Sequence, residues 1–305
     1  VTSEPLRILA IHAHPDDETL YTGGTLAFYA QGGADVSVLT CTLGEEGEVI
    51  GDKYAKLVAA DGGADQLGGY RIHELTNALA ALGAGEPQFL GGAGCYRDSG
   101  MLGTAANEHP RAFLKADAET VAEQMACWIR RIRPHAVLVY DEGGTYGHPD
   151  HVKAHKCGVR AVELAADHAD PNDDVIGSSG VALSSHIEEG SSLQIAPAWD
   201  TPRVYCIMQS ERRLAAGLDA IADHIPEAWK LPSTAELFCT ADDDTTAVVE
   251  LDEPAYLSKL AALRAHATQA TVHVPEDGPV SFALSNNIAQ PLLHTEEFRL
   301  IRNSH

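Results

Sequence analysis

From Leu6 to His12 the chain is apolar almost without interruption, the pattern of a short strand buried on both faces. Polar residues follow at once, and Thr25 to Ala30 continues an apolar-rich helix that stops near Gly32-Gly33, where glycine suits a helix end. Ala34 to Thr42 sets Val36, Val38 and Thr40 against Ser37, Leu39 and Cys41, an alternation that predicts the next strand. Helical patterning returns from Lys53 to Leu82, broken or loosened by Gly62-Gly63 and Gly68-Gly69. A brief strand at Gln88–Leu90 leads into a loop rich in Gly, Tyr and Asp that reaches Pro110. Ala118 to Arg133 reads as helix and Ala136 to Tyr140 as a strongly β-prone buried strand. A further helix runs from Pro149, well suited to a first turn, to Asp167.

Strands separated by helices in this way predict an α/β fold: an open, mostly parallel, Rossmann-like sheet with helices on both faces. Between His168 and Ala198 the chain turns polar, with Asp170, Asp173, Asp174 and several Ser and Gly, which reads as a linker. The expected organisation is an α/β domain over 1–168 and a smaller α+β lobe over 169–305 that completes the pocket. In that lobe Arg203–Gln209, Ala247–Leu251 and Phe298–Ile301 look like strands, with helices at Glu211–Asp223 and Pro254–Ala267.

At 305 residues and 45% hydrophobic the chain can bury a real core. Its 44 acidic and 21 basic residues give a net charge of −23, a surface that repels phosphate backbones and anionic leaflets. No transmembrane span or signal peptide is expected, since the first apolar run is short and ends in charged residues. Six scattered cysteines without a C-x-x-C pair are expected to remain free thiols in a reducing cytoplasm.

The segment His12-Ala13-His14-Pro15-Asp16-Asp17-Glu18, just after the first strand, holds two histidines and three acids. Imidazole and carboxylate both suit a borderline divalent ion. His14 and Asp17 can converge on one ion where a strand turns into a helix. Asp16 then projects differently and is left near the ion yet unbound, where a base acting on water belongs. His12 alternates with His14 and is expected to point away as a packed histidine. The second cluster, Tyr146-Gly147-His148-Pro149-Asp150-His151, follows the Ala136–Tyr140 strand, with His155 one turn on. Any of His148, His151 and His155 could give a third ligand, and spacing does not choose among them. A set of two His and one carboxylate with an open position describes a catalytic zinc rather than a closed structural one. The plainer alternatives are that Asp16 and Asp17 favour a helix amino end, and that the downstream histidines mark a solvated helix start. Asp242-Asp243-Asp244 reads as a solvated turn. There is no G-x-x-x-x-G-K-S/T loop and no G-x-S-x-G elbow, so phosphate-loop and serine-hydrolase chemistry find no support.

His14-Pro15-Asp16-Asp17-Glu18 after an apolar strand, with His148-Pro149-Asp150-His151 far downstream, resembles the LmbE-like or PIG-L-like family of zinc N-deacetylases. Five further stretches extend the resemblance to one branch, the actinobacterial enzymes of mycothiol biosynthesis that deacetylate N-acetylglucosaminyl-inositol. They are Cys41–Ile50, Ala64–Arg71, Arg97–Met101, His266–Gln269 and Leu284–Asn287.

The resemblance implies His14, Asp17 and His151 as ligands of one Zn2+ per chain, a set that Fe2+ would also suit. It implies Asp16 as general base and His148 as the group that steadies the oxyanion or protonates the departing amine. Asp98 would be the carboxylate partner of His148 and keep it cationic, and Tyr146 would polarise the carbonyl from a mobile loop. Arg71 would hold the inositol end, and Glu48 is a further candidate for the pocket. The implied partner is a small sugar–inositol substrate, with no nucleic acid and no membrane. Within the same chemistry the alternatives are a mycothiol S-conjugate amidase or another aminosugar N-deacetylase. A vestigial, merely structural metal site is the non-enzymatic alternative, and it would need neither a free Asp16 nor an open coordination position.

Overall fold

The first strand, β1 (Arg7–His12), is buried at every residue after Arg7, and Leu9, Ala10 and Ile11 expose nothing. The Leu9 and Ile11 side chains each contribute roughly 1.5–3 kcal/mol by leaving water. The computed structural model describes residues 4–167 and 196–304. From β1 the chain passes through α1 (Asp17–Gln31), β2 (Asp35–Thr40), α2 (Leu67–Leu82), β3 (Gln88–Phe89), α3 (Ala118–Ile132), β4 (Ala136–Val139) and α4 (Pro149–Ala166). There follow β5 (Arg203–Met208), α5 (Glu211–Ile221), β6 (Ala247–Glu250), α6 (Glu253–Ala265), β7 (Thr271–His273), β8 (Ser281–Ala283), β9 (Ala289–Pro291) and β10 (Thr295–Asn303).

The main sheet has seven strands in the order β3-β2-β1-β4-β5-β10-β6. The first five are parallel, and β10 runs antiparallel between β5 and β6. Helices cover both faces, α3 packing on α4, and α6 on α1 and α2. Strand order reverses at β1 and β4, so the crevice beyond their carboxyl ends is the place where such sheets bind ligands. The mostly parallel sheet expected from the alternating pattern is therefore present. All six cysteines are free thiols. Among the described residues no helix is long and apolar enough to cross a membrane.

Two departures from the sequence-based elements have local causes. The helix expected from Lys53 begins only at Leu67, after two short 3-10 turns at Ala55–Leu57 and Ala60–Gly62. Left-handed Gly62 (φ 72°) and Asp65 (φ 51°) break any continuous helix there. Gly68, expected to loosen the helix, instead sits in the first turn of α2, where a Cβ would come within 2.7 Å of Glu45 Cγ and 2.9 Å of Leu43 Cβ. Its bare backbone lets α2 approach the loop after β2.

The second departure is a three-stranded antiparallel sheet, β7-β8-β9, that was not expected. The linker expected over 168–198 and the boundary at 168/169 lie outside the described residues, apart from residues 196–198. Strands from either side of that boundary share the main sheet, β5 pairing with β4 from Arg203↔Ala136 to Cys206↔Val139.

Candidate active site

His12 closes β1 by turning inward, its Nε2 2.9 Å from Thr22 Oγ1, and burial lowers its pKa to about 4. It is a packed, neutral histidine, as the alternation predicts. His14 faces the other way, and the turn is locked locally because the His14 N–H donates to Asp17 Oδ2 at 2.9 Å. Asp17 opens α1 and is fixed from β4 by Tyr140, whose hydroxyl donates to Oδ2 at 2.7 Å while accepting the Ala13 N–H at 2.7 Å.

The second loop brings the other histidines. His148 is the N-cap of α4, its Nδ1 accepting the Asp150 N–H at 3.2 Å, with Pro149 in the first turn. Its proton therefore resides on Nε2. His151 places Nδ1 3.1 Å from Thr145 Oγ1, which leaves Nε2 directed at Asp17 and His14. His155 Nδ1 lies 2.7 Å from Tyr140 O, a contact to the backbone of β4's end rather than to the site.

His14 Nδ1, Asp17 Oδ2 and His151 Nε2 form a tight triangle with sides of 3.2, 3.3 and 3.4 Å. A tetrahedral ion bonded at about 2.0–2.1 Å separates its donors by about 3.3–3.4 Å, so this donor set fits a small divalent ion. The ring nitrogens of His14, His148 and His151 also lie within 4.8 Å of one another. So do donor atoms of His14, Asp98 and Asp150 on the other side of the His14 ring.

Asp98, on the loop after β3, is held by the Glu46 and Gly100 N–H groups at 3.2 and 2.8 Å. Its Oδ1 is 3.4 Å from His14 Nε2 and 3.8 Å from His148 Nε2. Burial works against its charge, yet the two imidazoles hold its carboxyl well below the usual range. For His148 burial comes first and the neighbouring His14 second, and together they lower the pKa to about 4 while Asp98 pulls upward. Asp98 thus pulls His148 towards the cationic form, as the resemblance implies, but burial and the neighbouring His14 outweigh that pull. Asp150, wholly buried, accepts the Ser99 N–H at 2.9 Å and lies 3.4 Å from His14 Nε2.

Asp16 is outside the donor triangle. Its backbone has φ 102° and ψ −31°, a conformation that costs an L-residue about 1–3 kcal/mol. Burial raises its carboxyl to about 7, against the pull of Arg71, whose Nη2 is 3.1 Å from Oδ2. Arg71 itself is buried, with Nη1 donating to Gly44 O at 2.8 Å, Nη2 to Pro15 O, and Nε without a partner among the described residues.

His14, Asp16, Asp17, Arg71, Asp98 and His148 open onto one cavity of about 650 Å³, with Glu48 also on its wall. Tyr146 stands at the mouth, 54% exposed, its ring 5.0 Å from that of His151 and 5.9 Å from that of His148. The far wall comes from the C-terminal part, including Met208, Phe238, Phe282, Asn286 and Leu293. The residues that the resemblance implies for the site thus lie in or directly behind one crevice at the ends of β1 and β4, whereas His155 turns to the backbone of Tyr140. Asp150 was quoted in its motif but given no role. Glu18 and His266, buried behind Asp16, likewise stand in quoted stretches without a role assigned to either.

A PIG-L family model, described as GlcNAc-PI de-N-acetylase, matches residues 9–162. A 1D-myo-inositol 2-acetamido-2-deoxy-alpha-D-glucopyranoside deacetylase of Rhodococcus opacus is 49% identical over 298 residues, spanning 98% of this chain and 92% of its own. A relative of the same name in Nocardia farcinica is 47% identical over 306 residues, spanning 97% and 90%. Among solved structures, the A40926 pseudoaglycone deacetylase superposes with a TM-score of 0.53 at 18% identity, covering 99% of this chain and 100% of its own. The 4-carboxy-2-hydroxymuconate hydratase of Pseudomonas putida reaches 0.52 at 16% identity, covering 98% of each chain. Those two likenesses concern the fold, which a deacetylase and a hydratase share. With a family model matched across half its length and relatives nearly half identical along almost all of it, the chain belongs to the PIG-L family of de-N-acetylases.

Proposed function

We propose that this protein hydrolyses the acetamide of 1D-myo-inositol 2-acetamido-2-deoxy-α-D-glucopyranoside, giving the free amine and acetate, with one zinc ion held by His14, Asp17 and His151. The observation that carries the reading is the donor triangle with Asp16 beside it but outside it. The similarity to relatives named for that reaction supplies the substrate.

When bound, the ion supplies Lewis-acid polarisation of the carbonyl and of the attacking water. Asp16, ionised, takes a proton from water as its oxygen attacks the carbonyl carbon. His148 directs its Nε2–H, fixed there by the Asp150 N–H on Nδ1, at the carbonyl oxygen as that oxygen becomes negative. Tyr146 at the mouth offers a second donor to the same oxygen. The C–N bond breaks as nitrogen receives the proton held on Asp16, a carboxyl whose burial favours carrying it at neutral pH. Asp98, 3.4 Å from His14 Nε2, orients that ring, and at 3.8 Å from His148 Nε2 its charge lies beside the donor aimed at the carbonyl oxygen. Arg71 and Glu48 border the space for the inositol ring, and the C-terminal part, 169–305, completes the pocket through its far wall.

The free thiols and the acidic surface support a cytoplasmic enzyme for a small neutral conjugate. The test is a side-by-side assay of protein loaded with Zn2+ or Fe2+ on N-acetylglucosaminyl-inositol, free N-acetylglucosamine and a mycothiol S-conjugate. Faster turnover of the first is expected. Preference for the S-conjugate would make the protein an amidase of the same chemistry, and inactivity with full metal on all three would remove the reading.

A further inference from the structure

Behind the crevice, the turn that follows α6 ties three separate pieces of chain together. His266 Nε2 is 2.7 Å from Glu18 Oε1. Thr268 donates through its N–H and its hydroxyl to the two oxygens of Glu74, each at 2.8 Å, and its carbonyl accepts the Ile50 N–H at 2.9 Å. His266 and Glu18 expose no surface at all. With no partner for His266 Nδ1 among the described residues, the hydrogen bond to Glu18 is donated from Nε2.

The other oxygen of Glu18, Oε2, accepts the Asp16 N–H at 2.9 Å. The carbonyl of that same peptide, Pro15 O, accepts from Arg71. Both polar groups of the Pro15–Asp16 peptide are therefore gripped by charged, buried side chains from opposite sides. This is the peptide that carries the left-handed backbone of Asp16, a conformation that persists only where its surroundings over-determine it.

We infer that Glu18, oriented by His266, is a positioning residue for the reaction: it holds the Pro15–Asp16 peptide so that the Asp16 carboxylate is aimed into the cavity. The inference rests on Asp16 as the base, as proposed above. Glu18 grips the base's own N–H, so loosening it acts on the rate of the chemical step before it acts on substrate binding.

The test is a double-mutant cycle on N-acetylglucosaminyl-inositol with metal content measured and held constant. His266→Leu removes the donor at similar volume, whereas His266→Gln keeps an N–H near the position of Nε2. We expect His266→Leu to lower kcat about 10- to 100-fold, the worth of a small misplacement of a reacting group, with little change in KM. His266→Gln should recover most of that loss. In an Asp16→Asn background the His266→Leu change should cost less than about 2-fold, because the group it positions is gone. An equal fold-loss in both backgrounds, or a His266→Leu protein as active as the wild type, overturns the inference. Should His266→Leu not fold, Glu18→Gln carries the same cycle, since it leaves an acceptor for Asp16 but weakens the hold of His266. If Asp16→Asn alone, fully metallated, keeps its activity, the base itself falls and this inference with it, a result distinct from an additive cycle.

Discussion

Tyr140 Oη sits 2.7 Å from Asp17 Oδ2 and its ring stacks on His151, centroids 4.2 Å apart, so one β4-end side chain steadies two corners of the donor triangle. A hydroxyl that fixes a candidate ligand this way tunes what the ligand can hold. Tyr140→Phe is expected to weaken metal affinity about 10- to 100-fold, as loss of such supporting bonds does. It also strands the buried Ala13 N–H, at a cost of about 1–3 kcal/mol in the metal-free protein. Chelator competition and thermal unfolding read the two effects separately. Unchanged affinity would detach Tyr140 from the metal site.

Asp16→Asn should keep one metal per chain and lower turnover by about 10²–10⁴-fold, the usual contribution of a positioned base. Metal content and kcat are measured on the same preparation. A parallel fall of both would make Asp16 a ligand and redraw the donor set.

Arg71, which the resemblance implies would hold the inositol end, lies directly against Asp16. Three of its contacts go to Gly44 O, Pro15 O and the Asp16 carboxylate. Arg71→Lys should therefore depress turnover of N-acetylglucosaminyl-inositol and of free N-acetylglucosamine alike, by about 10²-fold. A loss confined to the inositol-bearing substrate would restrict Arg71 to the remote ring.

His135 gives a pH-dependent element of stability away from the site. Its Nδ1 accepts the Arg7 N–H at 3.0 Å where β1 and β4 begin, and burial with the nearby Arg7 charge lowers its pKa. A histidine held neutral by the fold contributes fully above its unfolded value near 6.5 and loses that contribution as pH falls below it. His135→Asn keeps an acceptor that does not titrate. The difference in thermal midpoint between wild type and variant should move in the variant's favour from pH 7.5 to 5.5, and a constant difference would count against the neutral acceptor.

Much of the fold was legible because β1 and β4 are buried on both faces and read as unbroken apolar runs, with helices of clear period between them. The small sheet was not, since strands of three residues such as Ser281–Ala283 carry too few positions for any alternation to register. His14, Asp17 and the group His148, His151 and His155 stand out because their types crowd into two short segments, and only the family resemblance points to His151 among the three. Glu18 and His266 do not, because their meaning lies in a contact between residues 248 positions apart. Arg71 showed only its charge, and what it grips depends on how α2 meets the loop at Gly44.

The crevice is made of two kinds of chain. The candidate catalytic side chains cluster at the ends of β1 and β4, at the edge of the buried main sheet, while much of the opposite wall belongs to the small sheet and its turns, including Phe282, Asn286 and Leu293. On the proposed reading, bond cleavage and substrate choice would rest on different segments of the chain. A descendant could trade one wall for another and keep its reaction, and grafting residues 281–293 between relatives is the direct way to move a preference without rebuilding the chemistry.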